Sequence, residues 1–296
     1  PSEAESIATL HRAIELGVTM IDTSDAYGDS KNEALLGRGL KGKRDQVVLT
    51  TKFSNIRNPD GTREVNGRPE YVPKALEASL KRLDTDVIDV YYLHRVDPDT
   101  PIEDTIGAMA RLIDEGKVRA LGLSEAGVET IRRANATHPI ATLQTEYSLW
   151  SRFAEAELLP TCQELGISYV AYAPLGRGFL TGRYNSRDDF HEKDRRRDMP
   201  RYSEENFAQN LALINCLKTL SSERGASPAQ VALAWLMAQN VIPIPGCHTI
   251  KQIEENAASA DIALSPEELS RLSDAMPEGA AQGTRYPQGQ LKALGI

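Results

Sequence analysis

The chain has 296 residues, 41% of them hydrophobic and 26% charged, and its 34 basic against 42 acidic side chains leave a formal net charge of −8. That balance argues against nucleic-acid or anionic-membrane partners, which need a basic surface, and no run reaches the roughly 18 apolar residues of a membrane span. Cys162, Cys216 and Cys247 are too few and too far apart for a disulfide framework or a zinc site, so no metal is expected and, with no signal peptide visible, a reducing cytoplasm is the expected location.

Amphipathic stretches alternate with compact β-branched runs along nearly the whole chain. In chain order the spacing predicts a helix over 2–16, a strand over 18–23, a helix over 31–40 and a strand over 46–52. A helix over 69–82, a strand over 87–94, a helix over 101–115 and a strand over 118–124 follow. Then come a helix over 128–135, a strand over 141–146, a helix over 154–165 and a strand over 168–173. A long polar stretch from Gly176 to a helix near Glu204 reads as a functional loop over the strand ends, because structureless connections of that length are rare. Within it, the basic run from Lys193 to Asp198 reads as a solvated loop. The last strand covers 241–245, and helices over 250–258 and 266–275 precede a glycine-rich tail ending at Ile296. Ser30 with Glu33, Ser227 with Gln230, Thr249 with Gln252 and Ser265 with Glu268 have capping-box spacing, and Gly17, Gly116 and Gly166 stand where helices end in a left-handed residue.

Such alternation gives a doubly wound sheet or a (β/α)8 TIM barrel. No G-x-G-x-x-G follows any strand, which favours the barrel. Seven strands are visible and the sequence opens on a helix, so the first barrel strand is expected upstream of Pro1. The chain reads as one domain over 1–296, with the 176–203 loop and the tail over the barrel mouth.

Asp22, Lys52 and His94 end successive predicted strands, and in a barrel they converge at the C-terminal mouth. A buried lysine needs a carboxylate partner to stay charged, and Asp22 is the candidate. Tyr27 lies five residues past Asp22, where the loop can fold back and bring its phenol to Lys52. An adjacent ammonium favours phenolate, which suits a proton donor to a carbonyl oxygen. His94 can bond the same oxygen.

The runs Met20-Ile21-Asp22-Thr23-Ser24-Asp25-Ala26-Tyr27-Gly28, Thr51-Lys52-Phe53 and Tyr92-Leu93-His94-Arg95 resemble the aldo-keto reductase superfamily with its Asp, Tyr, Lys, His tetrad. Gly122-Leu123-Ser124, Gln144-Thr145-Glu146-Tyr147-Ser148-Leu149 and Ala171-Tyr172-Ala173-Pro174-Leu175-Gly176-Arg177-Gly178 extend the likeness, and the segment from Glu146 to Arg152 is similar to the branch that contains plant perakine reductase. The resemblance implies NADP(H) bound in extended form across the strand ends, and an oxidoreductase that passes hydride to an aldehyde or ketone. It implies Tyr27 as the acid, Lys52 and Asp22 as its tuning pair, and His94 positioning the carbonyl. It further implies Ser124 and Gln144 on the nicotinamide carboxamide and Tyr172 stacked on the ring. Leu175, Gly176, Arg177, Gly178 and Arg183 would meet the pyrophosphate; Gly246, His248, Gln252, Glu255 and Asn256 would meet the adenosine phosphate.

The chain departs from many relatives at His248, Thr249 and Gln252, where they place basic residues, and at Glu125, where they place Asn. A preference for NADP over NAD is still expected, and Glu125 is expected to alter the pocket rim and not the chemistry. Two rival readings accompany the reductase: a class I aldolase using Lys52 as a Schiff-base former, and a nucleotide-sensing module resembling the potassium-channel β subunits, with slow turnover. The aromatic residues Tyr91, Tyr147 and Trp150 suit either an apolar carbonyl pocket or the core. The substrate partner is a small carbonyl compound, and oligomeric state is not readable.

Overall fold

The computed structural model describes residues 1–58, 60, 62–291 and 294–295. Positions 59 and 61, and 292, 293 and 296 of the expected tail, lie outside the described residues. The chain opens with α1 (Glu3–Glu15), β1 (Met20–Asp22), α2 (Lys31–Gly39), β2 (Val48–Phe53), and a hairpin of β3 (Asn55–Arg57) and β4 (Arg63–Val65). It continues with α3 (Val72–Leu83), β5 (Ile88–Leu93), α4 (Ile102–Asp114), β6 (Val118–Ser124), α5 (Val128–Thr137), β7 (Ile140–Glu146), α6 (Leu158–Leu165) and β8 (Ser168–Tyr172). Then follow α7 (Glu204–Leu213), α8 (Asn215–Glu223), α9 (Pro228–Ala238), β9 (Ile242–Ile244), α10 (Ile250–Ala257), α11 (Pro266–Ala275) and the short α12 (Gln288–Leu291).

The strands run β1-β2-β5-β6-β7-β8-β9, every neighbouring pair parallel, in an almost closed TIM-type barrel. All seven predicted strands are present, with ends within two residues of expectation. Among the described residues no strand joins β9 to β1, while α1 and α10 meet through Arg12 and Glu254 at 2.8 Å. Parallel strands are covered on both faces, so β5 (IDVYYL) is buried at every position. Alternate residues serve different layers. Tyr91 stacks on Phe53, with ring centroids 4.9 Å apart, while Tyr92 accepts from Thr142 Oγ1 at 2.7 Å across β6. Gly122 makes that crossing possible: a Cβ there would lie 2.4 Å from the Tyr92 ring.

The capping box expected from Ser30 and Glu33 does not form. Ser30 is left-handed (φ 67°) and donates to the Asp25 carbonyl. Glu33 turns inward, fully buried, and accepts from Thr51 Oγ1 at 2.6 Å and Arg82 Nε at 2.7 Å, because a guanidinium is a stronger partner for a carboxylate than a backbone amide. The boxes at Ser227 and Ser265 do form. Thr249 caps α10, but the Gln252 amide oxygen accepts from His248 N instead of closing a box. Gly17, Gly116 and Gly166 adopt φ of 81°, 73° and 68°.

Helix α3 begins three residues later than expected, and the predicted 154–165 helix is a 3-10 turn at Phe153–Glu155 followed by α6. The larger correction concerns the 176–203 stretch, which is a succession of 3-10 turns. Phe179, Leu180, Phe190 and Tyr202 are buried there, and Phe179 stacks on Trp150 with centroids 4.6 Å apart. The basic run is likewise not simply solvated. Arg196 lies over the rings of Tyr184 and Phe190, and donates to Asp194 and to the Arg177 carbonyl. A few aromatic residues spaced through polar sequence carry no period, yet together they give this segment its own core. Among the described residues, no helix is long and apolar enough to cross a membrane.

Candidate active site

Strand alternation points Asp22, Thr50, Lys52 and Gln144 into one hydrogen-bonded group at the C-terminal ends of the strands. Lys52 is fully buried; its ammonium donates to Asp22 Oδ2 and, at 2.7 Å, to the Thr23 carbonyl. Asp22 Oδ1 accepts from Thr50 Oγ1 at 2.7 Å and from Gln144 Nε2 at 2.9 Å. Burial pulls the Lys52 pKa down, but Asp22 and then Tyr27 outweigh it, so the ammonium is held more firmly than in free lysine.

The loop after β1 turns back through Ser24, whose carbonyl accepts from Tyr27 N at 3.1 Å. This places the Tyr27 ring with its centroid 5.1 Å from Lys52 Nζ and 5.9 Å from the His94 ring, edge to face. Tyr27 is 40% exposed while Lys52 and His94 behind it are buried. Burial, and then the charges of Lys52 and Arg95, hold His94 well below the ordinary imidazole range, so the ring is neutral at pH 7. The four predicted side chains therefore meet at one point: a protected ammonium, its carboxylate partner, a neutral imidazole and a solvent-facing phenol. This set can polarise an oxygen atom and protonate it.

Around that point lie residues expected to hold a nucleotide. Ser124 and Gln144 are register partners on β6 and β7, and Tyr172 ends β8 opposite Glu146. Ser124 Oγ accepts from Arg95 Nη1 at 3.3 Å. Gly176 is buried against the Trp150 indole, where a Cβ would come within 2.5 Å of Nε1. Gly176, Arg177 and Gly178 form a left-handed run with φ of 54°, 51° and 91°. Leu175 packs on the core, and Arg183 is exposed beside Tyr184. The Arg177 side chain turns inward to Glu146 at 3.0 Å. At α10, His248 and Thr249 are exposed, Gly246 and Glu255 flank them in sequence, and Asn256 Nδ2 donates to Cys247 Sγ. Tyr91, Tyr147 and Trp150, open to either role in the sequence, are all buried and packed against other rings.

Sequence reasoning missed most of the ion cluster beside Tyr172. Glu125 sits in left-handed backbone (φ 55°) and accepts from both terminal nitrogens of Arg285, at 2.8 and 3.0 Å, and from Tyr172 OH at 2.7 Å. Burial raises the Glu125 pKa, but Arg285 outweighs it and keeps the carboxylate ionised. Glu146, also buried, faces Arg177, Arg201 and Arg285. Tyr286 completes the cover, its hydroxyl 3.1 Å from Tyr172 OH and its ring under Arg177. Arg285 and Tyr286 lie in an aperiodic tail, so only the unusual carboxylate at Glu125 pointed towards them. A cavity of about 380 Å³ opens beneath this tail, lined by Val128, Phe153, Leu158 and Leu294 among others; none of the four convergent residues lines it. Among the described residues there is no group of side chains able to hold a metal ion.

Residues 1–276 match the family model described as Aldo/keto reductase family. The chain is 43% identical over 296 residues to the NADP(+) aldo-keto reductase yakc of Schizosaccharomyces pombe, covering 97% of this chain and 87% of that protein. It is 41% identical over 290 residues to probable aldo-keto reductase 1 of Glycine max, covering 97% and 84%. Among solved structures, glycerol dehydrogenase from Gluconobacter oxydans superposes with a TM-score of 0.87 at 29% identity, covering 92% of this chain and 85% of that one. An aldo/keto reductase from Klebsiella pneumoniae in complex with NADP and acetate gives 0.75 at 30% identity, covering 96% and 89%.

Proposed function

The chain belongs to the aldo/keto reductase family, and on that premise we propose that it reduces aldehydes or ketones with Tyr27 as proton donor, Lys52 and Asp22 as its tuning pair, and His94 orienting the carbonyl. It is an NADP-dependent oxidoreductase with the (β/α)8 TIM fold, acting on a small carbonyl compound. We read the chain as one domain in which the 176–203 segment and the tail cover the mouth, and we assign it to the cytoplasm, where its three free cysteines stay reduced.

The donors along the mouth suit an extended dinucleotide. Ser124 and Gln144 offer hydroxyl and amide groups to a carboxamide, and Tyr172 presents an aromatic ring beside them. The left-handed backbone run at Gly176, Arg177 and Gly178, with Arg183 exposed nearby, suits a pyrophosphate. The N-terminus of α10, with Gly246, His248, Gln252, Glu255 and Asn256 around it, suits a terminal phosphate. When bound, the nicotinamide supplies hydride to the carbonyl carbon. His94 donates a hydrogen bond to the carbonyl oxygen and fixes its direction. Tyr27 gives its proton to that oxygen as charge develops, and the Lys52 ammonium stabilises the phenolate left behind. Because Tyr27 is 40% exposed, water can return the proton.

One observation carries this reading: the buried Lys52 ammonium, paired with Asp22, lies 5.1 Å from the Tyr27 ring. Steady-state assays over a panel of aldehydes and ketones test it. NADPH should be oxidised with aldehyde present, and more efficiently than NADH. Absence of turnover across the panel, or borohydride trapping of a substrate adduct on Lys52, would contradict it.

A further inference from the structure

The hydrogen bonds behind His94 fix more than the position of its ring. Nδ1 lies 3.1 Å from the Ser24 hydroxyl, which in turn lies 3.2 Å from Asp25 Oδ1 and accepts from Ala26 N at 3.1 Å. Ser24 is fully buried, so water does not compete for it. A neutral imidazole carries one ring proton and a hydroxyl carries one, so this chain has two consistent arrangements. In the first, the Asp25 carboxylic acid donates to Ser24 Oγ, Ser24 donates to Nδ1, and the ring proton sits on Nε2. In the second, an Asp25 carboxylate accepts from Ser24, Nδ1–H donates to Oγ, and Nε2 keeps a bare lone pair. Only the first can donate to an oxygen in the mouth.

We propose that Ser24 and Asp25 are positioning residues that set the His94 tautomer, the proton on Asp25 selecting the arrangement in which Nε2 donates to the substrate oxygen. The inference rests on the reading of His94 as the donor that orients the carbonyl. Among the described residues Nε2 has no hydrogen-bond partner, as such a donor requires.

The surroundings set where the selection turns over. Burial, and then the Glu33 carboxylate, push the Asp25 carboxyl up to about 7, against the opposing pull of Ser24 and Arg82. Glu33 faces it from α2 and Arg82 from α3, while Tyr71 at the start of α3 and Tyr91 on β5 share its field. On the other side Lys52 and Arg95 face His94 and, with burial, keep it neutral. The sign follows: below about pH 7 Asp25 holds its proton and Nε2–H is favoured, and as pH rises through that value the donor is lost.

The test is the pH profile of kcat/KM for carbonyl reduction at saturating NADPH, together with the ring-nitrogen NMR signature of His94. As pH rises through neutrality, wild-type kcat/KM should fall by roughly tenfold or more to a lower plateau, the scale on which a lost donor to a reacting oxygen acts. The His94 ring should change from Nε2–H to Nδ1–H over the same interval. Asp25→Asn offers an amide donor that does not ionise, and Ser24→Ala cuts the link, so each should lose the inflection. A ring that keeps one tautomer throughout in the wild type, or an inflection that survives in Asp25→Asn, would overturn the relay. His94→Phe separates the two levels. If that variant loses most of its kcat/KM while the inflection survives in Asp25→Asn, the relay alone fails; full turnover in His94→Phe removes the reading beneath it.

Discussion

Lys52 shows how two opposed effects settle a residue's role. Burial alone would strip its proton and make it a nucleophile, as a Schiff-base mechanism needs; Asp22 and the Tyr27 phenol win, and the ammonium is held. Lys52→Met would leave Asp22 with its bonds from Thr50 and Gln144 but no cation. The expected result is a loss of kcat of about 10² or more, the usual scale of acid–base assistance, with an altered rate-versus-pH profile. It should also unfold more readily, by about 3 kcal/mol for a broken buried pair. An unchanged profile in that variant would count against coupling between Lys52 and Tyr27. Asp22, Lys52 and His94 were legible because each is an ionisable residue at the end of an apolar run, and Tyr27 because it stands in the loop five residues past Asp22. Ser24 and Asp25 stand within the same motif as Asp22 and Tyr27, but nothing in sequence separates a hydroxyl on a histidine from one on solvent.

The barrel strands could be read because β-branched runs have a strong local signature. Glu33 could not be, since its partners Thr51 and Arg82 come from two other elements. That carboxylate ties α2 to β2 and α3, and its charge bears on Asp25 behind the site. Arg82→Met would leave Glu33 buried with only the Thr51 hydroxyl and should cost about 3 kcal/mol, from the penalty for an unpaired buried charge. Urea unfolding would measure this, and a midpoint equal to wild type would show that the pair does not hold these elements together. The aromatic core of the 176–203 segment escaped sequence reading for a similar reason: Phe179, Phe190 and Tyr202 pack with Trp150 and Phe207 through distant contacts that leave no period.

Across the whole molecule, our proposal gives the fixed chemistry to the barrel and the cover to the tail. Arg285 on Glu125, and Tyr286 against Tyr172 and Arg177, hold that tail over β8, where Tyr172 is assigned to the cofactor. Arg285→Met should free the tail, with faster hydrogen exchange at the Gln282 and Gly295 amides and a raised KM for substrate, while barrel amides keep their protection. Unchanged exchange at both amides would mean that Glu125 does not anchor the tail. The account depends most on a phenol that gives up its proton beside a buried ammonium. Its most direct measurement is single-turnover reduction of an aromatic aldehyde by Tyr27→Phe, with NADPH affinity measured by fluorescence on the same sample. The account predicts wild-type affinity and a rate lower by about 10² to 10⁴, the range for a lost general acid. Wild-type affinity with a wild-type rate would contradict it.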